Sequence, residues 1–185
     1  HRMSKPTRFD SATNVWITPR PVLAGARRVL GDPIPLDPCT EADNPTGAAR
    51  FFLERDNGLK KKWTDPCWCN PPYSGIGVFQ DWALKVRKEA LRGCPILFLM
   101  SVTNRVETDY FRCSLMNERL SAVVFFWGRL AFRQADLDGE YQPRKGNNYA
   151  SMMLGFNVDA SAVHRGFGDL GSVLSAHVQT GAVCG

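Results

Sequence analysis

The segment with the clearest chemical potential is Asn70-Pro71-Pro72-Tyr73, directly after the apolar stretch Pro66-Cys67-Trp68-Cys69. Each proline fixes its own φ and restricts the residue before it, so the segment is stiff and extended. A stiff corner can hold the Asn70 side-chain oxygen and the Pro71 carbonyl in fixed directions, with the Tyr73 ring beside them. Two neutral acceptors suit a conjugated exocyclic amine, of which adenine N6 is one. Such a nitrogen is a poor nucleophile because its lone pair is delocalised, and it carries two N–H donors. Accepting both hydrogens favours a pyramidal nitrogen whose lone pair is aimed at an incoming electrophile. No strong base is required first, because the proton can leave once the nitrogen has become cationic. Tyr73 adds a ring on which a flipped base can stack, worth about 1–3 kcal/mol, and chemistry on a base within a duplex requires flipping. The plainer alternative is a rigid turn with a packed tyrosine.

Asp37 is the second candidate. It closes Pro33-Ile34-Pro35-Leu36-Asp37, just before the Pro38 break. Both Asp37 and Asn70 therefore fall at the ends of expected strands. A parallel α/β sheet places ligands at the C-terminal ends of its strands, so one rim can hold both residues.

The elements that must position them alternate. Residues 20–31 carry Val22, Leu23, Ala26, Val29 and Leu30 at helical spacing, with Pro21 in the first turn and Gly31 past the end. Short strands are expected at 33–38 and 66–69, with a helical or extended piece at 48–53. Asp56-Asn57-Gly58 is a turn signal. A helix is expected at 79–91, where Phe79, Trp82, Ala83, Val86 and Ala90 share a face. The apolar run 95–102 reads as a buried parallel strand. A helix at 107–119 and a buried strand at 122–127 follow. Residues 129–133 and 149–156 are expected to pair with each other as a final antiparallel pair. This pattern predicts an α/β, Rossmann-like domain with a mostly parallel central sheet and helices on both faces. The expected limits are a flexible N-terminus over 1–14, one domain over 15–157 and a poorly defined tail over 158–185.

The chain of 185 residues is long enough to bury a core without disulfide or metal support. Its formal net charge of +5 suits a polyanionic partner without requiring one. Six cysteines are present, none in a C-x-x-C pair and none near a histidine in sequence, so no metal is expected. Reduced, packed thiols in a cytoplasmic protein are the expectation. No apolar run approaches the roughly 18 residues of a membrane span. The polar, basic start does not read as a secretory leader.

Four segments together carry a resemblance. They are Trp16-Ile17-Thr18-Pro19, Leu36-Asp37-Pro38-Cys39, Gly58-Leu59 through Trp63, and Asn70-Pro71-Pro72-Tyr73, in that order. In this the chain resembles the phage-type DNA N6-adenine methyltransferase family over about residues 16–156. The Asn-Pro-Pro-Tyr motif alone is shared with RNA and glutamine methyltransferases; the ordered set is more discriminating. The resemblance implies S-adenosyl-L-methionine as cofactor, DNA as partner, and a phage- or prophage-encoded protein working in a bacterial cytoplasm. It also implies that Asp37 binds the methionine amino group, that Trp16, Thr18 and Pro19 lie near the methionine end, and that Asp56, Asn57 and Leu59 surround the cofactor's adenine. Asn70, Pro71, Pro72 and Tyr73 would form the target-base site. Many larger methyltransferases follow their first strand with a glycine-rich loop, whereas residues 37–44 here contain no glycine. Asn44 is the candidate cofactor contact in that loop.

Lys60 and Lys61 could touch phosphate, with a solvated loop as the plainer reading. Arg105 follows an expected strand end and could face the target strand. Arg144 and Lys145 lie in the long polar stretch 134–148, which could enter a DNA groove. Trp68 reads as core. The competing functions are methylation of RNA adenine or protein glutamine, and non-catalytic DNA binding on a methyltransferase scaffold.

Overall fold

The computed structural model describes residues 17–73, 77–102, 104–135, 141–143 and 150–177. The first helix, α1 (Arg20–Leu30), buries Val22, Leu23, Ala26 and Leu30 and ends at Gly31, whose φ of 117° a side chain would disfavour. Two short strands follow, β1 (Leu36–Asp37) and β2 (Arg50–Phe51), and then β3 (Cys67–Cys69). The second helix, α2 (Val78–Leu91), buries Phe79, Trp82, Ala83, Val86 and Ala90 along one stripe, and leads to β4 (Ile96–Val102). A π-helical turn at Phe111–Leu115 precedes β5 (Leu120–Phe126). The remaining elements are a hairpin of β6 (Arg133–Ala135) and β7 (Tyr141–Pro143), then β8 (Ala150–Phe156), α3 (Ala160–Phe167) and β9 (Gly171–Ser175).

Seven strands form one sheet in the order β2-β1-β3-β4-β8-β5-β9. Pairings at the β2 end, through β1 and β3 to β4, are parallel. Pairings of β8 with β4 and β5, and of β5 with β9, are antiparallel. The sheet is therefore mixed. Strands β1 to β5 point one way and β8 and β9 the other, which corrects the expectation of a mostly parallel sheet at its C-terminal half.

Helices cover both faces. On one side α2 and the π-helical turn pack on Cys67, Cys69, Ile96, Phe98 and Met100. On the other, α1 and α3 pack on Trp68, Leu97, Leu99 and Val124. The two helices of the second face cross closely at Gly25 and Gly166; a Cβ on Gly25 would meet the Gly166 carbonyl oxygen at 2.6 Å.

Three local expectations are corrected. Residues 149–156 do not pair with 129–133. Instead β8, buried from Ser151 to Phe156, lies between β4 and β5, where both of its faces are covered. Arg133 belongs to the β6–β7 hairpin. The helix expected over 107–119 shrinks to the π-helical turn, because the Asn117 amide donates to the Ser114 carbonyl and accepts from the Arg119 N–H. The segment after Asn157, where sequence offers little signal, adds α3 and an edge strand. Asp159 caps α3 by accepting from the Ser161 and Ala162 N–H groups.

Cys39, Cys67, Cys69 and Cys94 are free, as expected for reduced thiols, but Cys113 is disulfide-bonded. Sequence spacing carries no pairing information that could have shown this. No helix among the described residues is long and apolar enough to cross a membrane.

Candidate active site

Parallel neighbours end at the same edge of a sheet, and this brings Asp37 and Asn70 together. The register pairs Leu36 of β1 with Cys67 of β3, so the chain leaves the two strands side by side. A cleft of about 600 Å³ opens along this rim, within the range of small-molecule sites.

Asp37 is nearly inaccessible, at 3% exposure, and is one of the residues that line the cleft. Its Oδ1 accepts from the Cys39 N–H at 3.0 Å and its Oδ2 from the Thr46 hydroxyl at 2.9 Å. Burial pushes its carboxyl up to about 6, while the Cys39 and Thr46 bonds hold it down. Thr40 Oγ1 also opposes that shift weakly, without reaching hydrogen-bond geometry. A buried acid held by only partial compensation is ready for a cationic partner.

Asn70 is fixed from several sides. Its Nδ2 donates to Thr18 Oγ1 at 3.3 Å, which sets the amide so that Oδ1 points the other way. The Tyr73 hydroxyl donates toward that Oδ1, at 2.9 Å, and lies 3.0 Å from the Leu99 carbonyl oxygen. The Asn70 carbonyl accepts from the Cys39 thiol at 3.4 Å. Cys39 and Cys69 stand 3.8 Å apart, and burial pushes both thiols up, which keeps them neutral. One face of the Tyr73 ring stacks on Phe79, with centroids 6.0 Å apart and planes 17° from parallel.

Of the residues singled out from sequence, Thr18, Asp37, Asn57, Leu59, Asn70, Pro71 and Pro72 line the cleft. Asn44, Pro19, Asp56 and Tyr73 are not among its lining residues. Asn44 braces the loop instead: its Oδ1 accepts from the Ala48 N–H and its Nδ2 donates to the Ala48 carbonyl. Asp56 accepts from the Leu53 N–H and so holds the turn that carries Asn57. Lys60 and Lys61 are exposed, and the Lys61 carbonyl accepts from the buried Lys85 ammonium, which anchors that loop. Trp16, Arg144, Lys145 and the side chain of Arg105 lie outside the described residues.

Several cleft residues escaped the sequence reading. Glu54 lines the wall beside Asn57, and the available signal was an acid soon after a short strand. Gly58 answers the missing glycine of the 37–44 loop. A Cβ on it would stand 2.0 Å from the Pro38 carbonyl oxygen and 3.3 Å from the Trp82 ring. The glycine that permits close approach thus comes from the opposite wall. Thr40 and Trp68 are also among the lining residues, and their Oγ1 and Nε1 atoms are buried without a hydrogen-bond partner.

These features test the fit of an S-adenosylmethionine-like molecule. The cleft has the volume, and Asp37 among its lining residues has the charge to meet an ammonium. The donor set fits. A family model described as DNA N-6-adenine-methyltransferase (Dam) matches residues 5–163. Neither the curated proteins nor the solved structures provide a match.

Proposed function

Since the chain belongs to the DNA N-6-adenine-methyltransferase (Dam) family, we propose that it uses S-adenosyl-L-methionine to methylate adenine N6 at a specific site in double-stranded DNA. The observation that carries this reading is the opening of Asp37 and Asn70, from adjacent parallel strands, onto one cleft. When bound, the cofactor supplies an electrophilic methyl group on a sulfonium.

The chain's own residues do the rest. Asp37 takes the ammonium of the methionine end, an ion pair strengthened by hydrogen bonding. Asn57, Leu59 and Glu54 form the wall for the adenosine end, and Gly58 lets that wall approach Pro38. Asn70 Oδ1 and the Pro71 carbonyl accept the two N6 hydrogens and aim the nitrogen lone pair toward the methyl carbon. Thr18 keeps the Asn70 amide in the orientation that presents oxygen to the amine. The prolines make this geometry cheap to maintain, because little conformational freedom remains to be lost. Tyr73 supplies a ring for the flipped base. The proton leaves N6 after attack, so no side chain with a strong base is needed. Lys60, Lys61, Arg105, Arg144 and Lys145 are the candidate phosphate contacts, and the proposed catalytic domain, expected over residues 15–157, extends through α3 and β9 because both belong to the same core and sheet.

Incubation with methyl-labelled cofactor and double-stranded DNA, RNA or protein tests the reading. Label is expected at N6 of adenine in DNA. Label confined to RNA or to glutamine in protein would replace the substrate assignment. Calorimetry showing no cofactor binding at millimolar concentration would favour a non-catalytic DNA-binding protein.

A further inference from the structure

A buried ion pair on α2 has no part in the proposed chemistry, yet it sits behind one wall of the cleft. Lys85 and Glu89 are 7% and 0% exposed, and the Lys85 ammonium lies 2.6 Å from Glu89 Oε1. Arg92 reaches the same oxygen at 3.2 Å, while Oε2 is buried without a hydrogen-bond partner. Such a pair is weak evidence for stability. Desolvating both charges offsets much of their attraction, and apolar side chains of similar size often serve a fold equally well. An incompletely satisfied carboxylate serves it less still. What else the ammonium holds therefore matters.

It holds the turn over residues 58–63. The Lys85 ammonium donates to the Lys61 carbonyl and stands over the Trp63 ring, 5.3 Å from its centroid. Trp63 stacks on Trp82, with centroids 6.2 Å apart, and its indole N–H donates to the Gly58 carbonyl at 3.0 Å. Gly58, Leu59 and Trp82 all line the cleft. Trp82, Lys85 and Glu89 follow one another at helical spacing on α2, so one face of the helix carries the whole clamp. Between Leu59 and Trp63 the turn is three exposed lysines, Lys60, Lys61 and Lys62, which bury little apolar surface that could fix it.

We infer that Lys85, oriented by Glu89, is a positioning residue for the adenosine end of the cofactor: its ammonium fixes the 58–63 turn, and the turn presents Gly58 and Leu59 to the ligand. The inference rests on the cofactor reading above. A buried ammonium suits the task, because moving the Lys61 carbonyl away would strand a desolvated charge, and apolar contacts resist such motion less. A wall fixed before binding also removes the entropic cost of ordering it around the ligand.

The test is calorimetry and kinetics on Lys85→Met/Glu89→Met, in which both charges leave together and the side-chain volumes are nearly kept. The melting temperature should stay near that of wild type. S-adenosylhomocysteine and 5′-methylthioadenosine, which has the adenosine end alone, should both weaken about tenfold and by the same factor. KM for S-adenosyl-L-methionine should rise with them, while kcat at saturating cofactor and DNA stays within about twofold. Trp63→Phe, which keeps an aromatic ring and removes the bond to Gly58, should show the same split and carries the test if the double variant does not fold. Unchanged affinity for both ligands, a loss confined to S-adenosylhomocysteine, or a fall in kcat matching the rise in KM would overturn the positioning role while leaving the cofactor reading intact. Unfolding of both variants would make the network structural and overturn it as well. Failure of wild type to bind either ligand would overturn both readings.

Discussion

The Tyr73 hydroxyl lies 2.9 Å from Asn70 Oδ1, the oxygen that the proposed reaction uses as an acceptor. It is also 3.0 Å from the Leu99 carbonyl oxygen, and one hydroxyl proton cannot serve both fully. The base amine can therefore take over Oδ1 while the tyrosine keeps Leu99. On this arrangement Tyr73→Phe retains the ring and its stack on Phe79, and turnover should stay within about threefold of wild type. Tyr73→Ala should lower kcat/KM on DNA by about 10- to 100-fold, the value of one stacked base. Steady-state kinetics checks both. A severe defect in Tyr73→Phe with a mild one in Tyr73→Ala would reverse the assignment.

Asn70→Ala should abolish transfer while leaving cofactor affinity within about threefold, since the amide faces the amine and not the cofactor. Calorimetry and a labelled-methyl assay on the same preparation separate the two effects. Near-normal turnover would remove Asn70 as acceptor.

Asp37 makes a prediction with two opposite signs. Its carboxyl is raised from 3.8 to about 6 by burial. Ionising a group whose pKa is raised on folding disfavours the folded state, so the ligand-free protein should lose stability as pH rises between those values and level off above. The ammonium contact needs the ionised form, so cofactor affinity should rise through the same window, with proton release on binding near pH 6. Asp37→Asn should then raise ligand-free stability at pH 7, by up to ~3 kcal/mol from linkage, yet weaken cofactor binding at least ~10-fold. Denaturation and calorimetry across pH 4.5–7.5 measure both as approximate trends. Parallel losses of stability and affinity in Asp37→Asn would show a structural role instead.

Gly58→Ala should cost about 1–3 kcal/mol of stability, typical of overpacking, because its Cβ would run into backbone at Pro38 and not into a yielding side chain. Cofactor affinity should fall with it, since Pro38 and Gly58 line the same cleft. Thermal unfolding with and without S-adenosylhomocysteine reads both. A wild-type melting temperature would mean that the Pro38 loop relaxes freely.

The chemistry-bearing corner was legible in the chain because stiffness is local. Two adjacent prolines restrict Asn70 whatever surrounds them, and the apolar run before it predicted a strand end. The helices at 20–30 and 78–91 were legible for a similar reason: a buried stripe at helical spacing records which face meets the core. The seat of Asp37 followed from the Pro38 break and the strand before it.

The tertiary structure decided the rest, because it concerns which strands become neighbours. Nothing local in residues 150–156 says that they enter the sheet between β4 and β5 antiparallel to both; only the need to cover two apolar faces selects that slot. Trp68 illustrates the same point within the site. Its apolar flanks mark it as core, and it is fully buried. That it stands beside Asp37 at the cleft depends on the pairing of Leu36 in β1 with Cys67 in β3, 31 positions apart. Hydrophobic pattern reports burial, which each residue carries in its own side chain. Register, and the polar atoms that it leaves without partners, belongs to pairs of segments and becomes visible only when the sheet is assembled.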